Sequence, residues 1–520
     1  MTDTSATTPH AAGAQLVLAA ACLGTLVVSY NTTAIITALP AIKADLDIDS
    51  VTLQWVMNSY LLASATIVAV MGRIADIIGK MRLFLAGLAC FAVGSLCLIV
   101  ASDAALLLAG RIAQGIGAAA LFSTSVALVN VATPEDQRAF AVGLWGGMIA
   151  FGFGIGPVLG GLLTDFASWR IIFVLDLLFL AAAMFIGLRI RKSGFLGEPA
   201  HKGETIDYLG VALLVVTLGS LVFALTHGLE FGWTSPIILA LFAVFVIGAL
   251  AFYFAEHRDC DPLVNFGFFY HPHYVAATIG MFVASFAMWG LIYYYNIFVQ
   301  SPETMEFSAV GAGLSMLPLS GLMFVCSVSL PRLLERYGLR WPIAIGMLCL
   351  ALGSWLLHLT LNETPYSATW WKLLFIGFGL GLTIPLLPRL GLRVIPDADA
   401  GQGSGVINTC LYFGGAVGIA SSGIITAHIR NEAVAKAIAD LKPKSGEVGA
   451  LVRDLAHGSA SQIHHALSQF NPDDAAKAQK VLQDITDDGF SAVMLQLAIV
   501  ALIGAAVCLW LGRGPVKLKG

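Results

Sequence analysis

Gly72-Arg73-Ile74-Ala75-Asp76-Ile77-Ile78-Gly79-Lys80-Met81-Arg82 is a short charged stretch set between two apolar runs without an acidic or basic residue, roughly 51–71 and 83–101. Each run is about 20 residues, the length an α-helix needs to cross the hydrocarbon core of a bilayer. The stretch therefore reads as a basic connection between two membrane spans. Its glycines allow a tight turn or close helix packing. Its charges allow an ion-pair network that is made in one conformation and broken in another.

Outward from this pair the same pattern repeats. Fourteen apolar runs are predicted, at roughly 15–39, 51–71, 83–101, 105–130, 139–163, 170–188, 208–226, 236–255, 274–298, 308–330, 341–360, 370–388, 402–427 and 490–511. The composition agrees, with 58% hydrophobic and 12% charged residues in 520 and a mean hydropathy of +0.83. So few charges cannot cover soluble cores. In lipid each backbone N–H and C=O must be paired within its own segment, so the spans are helices and the fold class is all-α integral membrane protein. Cations alternate between connections: Arg73, Lys80 and Arg82; Arg189, Arg191, Lys192 and Lys202; Arg332, Arg336 and Arg340; Arg389 and Arg393; Arg513, Lys517 and Lys519. The positive-inside rule then puts both termini in the cytoplasm of a multi-pass protein of the inner (plasma) membrane.

Residues 428–489 break the alternation, with seven Lys or Arg on the outer side. A connection this long is exempt from the rule. It reads as amphipathic helices, with Asn471 as N-cap before Pro472, and an ordered helical hairpin over the outer face is expected. A flexible insertion is the alternative. The hairpin also offers a place for a periplasmic or outer-envelope partner.

Several function classes drop out. The net charge is −4 and no large basic cluster exists, so nucleic acid is not an expected partner. The cysteines lie almost all within apolar runs and show neither metal-site nor disulfide spacing, and the adjacent His464 and His465 diverge on a helix, so no metal is expected. Gly377-Phe378-Gly379-Leu380-Gly381 lacks the Lys-Ser/Thr of a P-loop, so ATP is not implied, and no cofactor or enzymatic activity is expected.

Three signatures in order carry a family resemblance. Residues 72–82 resemble motif A of the major facilitator superfamily, with Gly72, Arg73, Asp76, Gly79, Lys80 and Arg82 in place and Ile77 where a cation is usual. Arg111-Ile112-Ala113-Gln114-Gly115-Ile116-Gly117 in the fourth span is similar to motif B, and an arginine inside a membrane span is a functional candidate by default. Gly152-Phe153-Gly154-Ile155-Gly156-Pro157-Val158-Leu159-Gly160-Gly161 in the fifth looks like motif C, the mark of the exporting antiporters, with Gly152, Gly156, Pro157, Gly160 and Gly161 as its candidate packing positions. Asn31 to Pro40, Gln54-Trp55, Trp169-Arg170 and Gly401-Gln402-Gly403-Ser404-Gly405 also look like the fourteen-helix drug/proton antiporter branch.

The resemblance implies a first half at 1–190, a linker with two extra spans at 191–273, a second half at 274–520, and a central cavity with alternating access. It implies export of a small amphipathic compound against protons. A dedicated lipid, siderophore or metabolite exporter and an uncoupled transporter-like sensor or assembly subunit are the alternatives. Tyr60, Trp289, Tyr293, Tyr294 and Phe413, with Asn31, are candidates for cavity lining.

The acidic residue departs from the pattern. The branch usually has aspartate where this chain has Asn31 and asparagine where it has Asp176. At a rise of 1.5 Å per residue, Asp176 and Arg111 both lie roughly 10–12 Å below the outer surface, which allows a pair. A carboxylate that alternates between a cation and a dry cavity changes its proton affinity, so Asp176 and Arg111 are the proton-coupling candidates; the alternative is that Asp176 is a static counter-ion or faces water at the interface.

Overall fold

The computed structural model describes residues 9–193, 207–258, 262–301, 304–334, 338–359, 365–396, 399–440, 455 and 460–513. Among these every regular element is helical. The first half is α1 (Pro9–Leu46), α2 (Ser50–Ile78), α3 (Lys80–Ile99), α4 (Ala104–Ala132), α5 (Glu135–Phe166) and α6 (Ile171–Ser193). An extra pair follows, α7 (Tyr208–Phe231) and α8 (Pro236–Arg258). The second half is α9 (Pro272–Gln300), α10 (Ala309–Ser315), α11 (Leu317–Leu334), α12 (Arg340–His358), α13 (Tyr366–Leu392), α14 (Ala400–Asp440), the short α15 (Ala460–Ser468) and α16 (Pro472–Leu511). Thirteen helices are long and apolar enough to span, and α10 with α11 makes a fourteenth span bent by 41°.

We call the end of the bundle that carries residues 72–82 the basic end. Here the structure corrects the expected loop: α2 continues to Ile78 and α3 begins at Lys80, so the connection is Gly79 alone. Gly79 has φ 98°, a conformation that glycine adopts without a Cβ clash, and its N–H closes α2 on the Ala75 carbonyl at 3.0 Å. At the opposite end, α14 and α16 run well past the predicted span limits of 427 and 490. Their extensions enclose a small separate core of Val434, Leu455, Ala466, Phe470 and Ile485. Asn471 sits at the N-cap of α16 with Pro472 in the first turn, although its side chain makes no capping bond. The stretches 441–454 and 456–459 of the predicted hairpin lie outside the described residues.

Position in the bundle follows polarity. The most apolar window of α8 is 17% buried and that of α9 is 83% buried, so α8 faces lipid while α9 lies inside. The extra pair is fastened to the first half at Trp55, whose Nε1 donates to His227 Nε2 at 3.1 Å. An indole N–H only donates, so His227 carries its hydrogen on Nδ1 and directs it to Glu230 Oε2 at 2.9 Å. The halves meet along two seams. On α2 and α14 contact runs the whole length, from Gln54 against Gly423, through Thr409 Oγ1 donating to the Ala65 carbonyl, to Gly405 against Ala69. The second seam, between α5 and the α10–α11 pair, behaves differently.

Candidate functional site

Asp176 is fully buried on α6, and side chains from three other helices converge on it. From α1, the Tyr30 hydroxyl donates to Oδ1 and Asn31 Nδ2 donates to Oδ2 at 2.7 Å. Ser95 of α3 donates to Oδ2 at 3.0 Å and Gln114 Nε2 of α4 at 3.3 Å. Arg111, also fully buried, donates from Nη1 to Asn31 Oδ1 at 3.1 Å and to Gln114 Oε1 at 2.7 Å, and from Nε to the Val56 carbonyl at 2.9 Å. Its guanidinium lies 4.3 Å from the centre of the Tyr60 ring.

The structure thus brings the two coupling candidates into one network but corrects the expectation that they pair directly. Asn31 and Gln114 stand between them, each accepting from the arginine and donating to the carboxylate. A neutral amide can do both at once, because it carries an acceptor and two donors. Arg111 Nη2 is left buried without a hydrogen-bond partner, a reserve donor within the ring.

The glycines of α5 fall on two faces. Gly152, Gly156 and Gly160, four apart, lie against α1: a Cβ at Gly156 would collide with the Thr33 hydroxyl and sit 2.7 Å from the Tyr30 carbonyl, and one at Gly160 would meet the Ala34 carbonyl. Gly161, Gly154 and Gly147, seven apart, face the second half. At Gly161 a Cβ would overlap the Ala309 carbonyl, at Gly154 it would come to 3.8 Å from the Ser320 carbonyl, and at Gly147 it would meet nothing within 4 Å. The second seam is therefore a wedge, closed at the opposite end and open toward the basic end. Its closed tip is reinforced by Asp165, which accepts from the Ala309 and Val310 N–H groups at 3.2 and 2.9 Å, and by the Pro157 carbonyl against Gly313.

Below that tip, between the halves, lies a narrow cleft with about 350 Å³ of space not filled by atoms, open solvent included. Met288 and Trp289 of α9, Met316 between α10 and α11, Met323 of α11 and Phe153 of α5 dominate its walls, and Thr33 and Ser320 supply the only hydroxyls. Methionine adapts its shape and is polarisable, so such walls accept varied apolar ligands.

Of the six candidates for cavity lining, Trp289 alone lines this cleft. Asn31 and Tyr60 belong to the charged network. Tyr293 and Tyr294 pack on each other at 4.9 Å between ring centres, and the Tyr294 hydroxyl donates to the Ile419 carbonyl. Phe413 packs on Phe282 at 5.9 Å. Tyr30, Ser95 and the three methionines were not singled out from sequence, and their signal was a polar residue at the depth of Asp176 and a methionine pattern on the ninth and tenth spans. In motif A, a Cβ at Gly72 would stand 3.6 Å from the Ser123 hydroxyl, Arg73 and Lys80 are engaged, and Arg82 is exposed. The Asp76 side chain lies outside the described residues.

The sequence profile of the Major Facilitator Superfamily matches residues 21–419, and the chain belongs to that superfamily. It is 32% identical over 418 residues to the multidrug resistance protein Stp of Mycobacterium tuberculosis strain H37Rv, covering 79% of this chain and 76% of the relative. It is 27% identical over 519 residues, 98% of each chain, to multidrug resistance protein 3 of Bacillus subtilis. Among solved structures, a bacterial homologue of the human lysosomal transporter Spinster, inward-facing and unoccupied, superposes with a TM-score of 0.66 at 14% identity over 98% of both chains, which reflects a shared fold.

Proposed function

We propose that this multi-pass membrane protein exports amphipathic organic compounds from the cytoplasm, and that protons moving inward through Asp176 drive the export. The observation that carries the reading is the buried ring of Asp176, Asn31, Arg111 and Gln114 beside an apolar cleft between two halves. Burying a carboxylate in a membrane interior is costly even with four donors and a nearby cation to offset part of the cost, so one kept there is a functional candidate. The relatives named for multidrug resistance support export as the direction. The basic end is taken as cytoplasmic, which makes the wedge of the second seam an opening toward the cytoplasm, as loading for export requires. The motif A network around Asp76 is assigned to holding the other, outward-facing state.

The test begins with a growth-inhibition panel on a strain lacking this gene, which identifies a substrate. Purified protein in liposomes preloaded with that substrate is then diluted into substrate-free buffer. Release of substrate should drive protons into the lumen, read with an entrapped pH dye. Substrate release with no proton entry would remove the coupling half of the reading, and a chain that moves no compound at all would favour a sensor or assembly role.

A further inference from the structure

Among the described residues Asp176 is the carboxylate with 0% exposure inside a span; Asp45, Asp165, Glu230 and Glu256 stand in last turns, and Asp487, also buried, lies close to the start of the last span. It also stands away from the cleft. Asp176 projects from α6 and is met by Tyr30 and Asn31 of α1, while the cleft is lined from α1 by Thr33. Around α1, Asn31 stands about 160° and Tyr30 about 60° from Thr33, so the carboxylate they hold lies on a different face of α1 from the cleft. All four polar partners of the carboxylate are protein side chains, and its exposure is 0%. A substrate in the cleft is therefore not in contact with the Asp176 carboxylate, which is enclosed by side chains of α1, α3 and α4.

The cleft itself has no charged wall. An organic cation entering it would lose its water without gaining a counter-ion. The faces of Trp289 and Phe153 attract cations, but more weakly than desolvation of an unpaired charge opposes them. An uncharged amphipathic molecule meets no such penalty and gains the full burial of its apolar surface.

Building on the export reading above, we propose that the substrates are uncharged amphipathic molecules, and that substrate and proton occupy separate places on different faces of α1. Coupling then passes through movement of α1, not through competition for one carboxylate. Each cycle carries positive charge inward with the proton and none outward with the substrate, so export responds to membrane potential as well as to the pH gradient.

The test uses two probe pairs on the full chain in liposomes: chloramphenicol and Nile red, which are uncharged, against tetraphenylphosphonium and ethidium, which are permanent cations. With a proton gradient imposed, at least one uncharged probe should be exported and neither cation should move above protein-free vesicles. A potential imposed without a pH gradient should also drive the uncharged probe. Export of either cation would overturn the inference and leave the export reading standing, whereas failure of all four probes would overturn both. Binding is measured separately. Asp176→Asn should bind Nile red within about twofold of the parent, since no shared group is lost. Trp289→Ala should weaken that binding by about tenfold, the scale of one lost aromatic anchor. Loss of Nile red binding in Asp176→Asn at normal folding, checked by thermal unfolding, would place substrate and proton on one site and overturn the separation.

Discussion

In the first half, Tyr30, Asn31, Ser95, Arg111 and Gln114 surround one carboxylate, and directed hydrogen bonds fix every atom of it. In the second half, α9 and the α10–α11 pair turn Met288, Trp289, Met316 and Met323 toward the same interior, where contacts are undirected. A hydrogen-bonded ring has few acceptable arrangements, so a change of charge within it must be answered by rearrangement. An apolar wall of methionines has many. Under the proposed function, the difference would suit one half to reporting a single proton and the other to tolerating different ligands.

The sharpest break would come at Asp176. Asp176→Asn removes the interior carboxylate, and proton-driven export should fall to background in proteoliposomes while the protein still inserts; retained proton-driven export would place coupling elsewhere. Next in size are two glycines on different faces of α5. Gly156→Val drives a side chain into Thr33 and the Tyr30 carbonyl, within the first half, and should cost on the order of 1–3 kcal/mol of stability, seen as a lowered melting temperature. Gly161→Val meets Ala309 across the seam and should leave the melting temperature nearer to that of the parent while making the closed tip leaky to small solutes. If both variants behave alike, the two faces are not functionally distinct.

A smaller effect is expected in the second half. Trp289→Ala should raise the KM for export by about tenfold, roughly 1.4 kcal/mol, with the ratio of protons to substrate unchanged. A changed ratio would show that the aromatic wall takes part in coupling. The smallest expected signal is a rescue. In the Asp176→Asn background, Asn31→Asp puts a carboxylate where Arg111 Nη1 now reaches Asn31 Oδ1 at 3.1 Å, and a fraction of proton-driven export should return. No return at equal protein level would mean that the carboxylate must stand on α6.

Fourteen spans and their order were legible because hydrophobic length alone reports a span. Their ends were not, since α14 and α16 leave the apolar region as continuous helices and the charge of 428–489 masks that continuity. Asp176 and Arg111 could be found as costly residues at matched depth. The bridging by Asn31 and Gln114 could not, because depth gives no azimuth, and only packing decides whether an arginine reaches a carboxylate or an amide between them. The aromatic candidates were hard to sort for a related reason: Tyr293 shares a face of α9 with Trp289 but stands one turn further along, and Tyr294 points about 100° away from Tyr293, and these two pack on each other.

The wedge along α5 has a consequence for the surrounding lipid. A bundle whose second seam touches at Gly161 and has free space at Gly147 is less closely packed along that seam in the leaflet at its basic end than in the other. Under the proposed alternating access that asymmetry would reverse, so each turnover would displace lipid from one leaflet and admit it to the other. The balance between the two states is then set in part by the lateral packing of the bilayer, and lipids that crowd the leaflet at the basic end favour the closed basic end with no change in substrate, proton gradient or sequence.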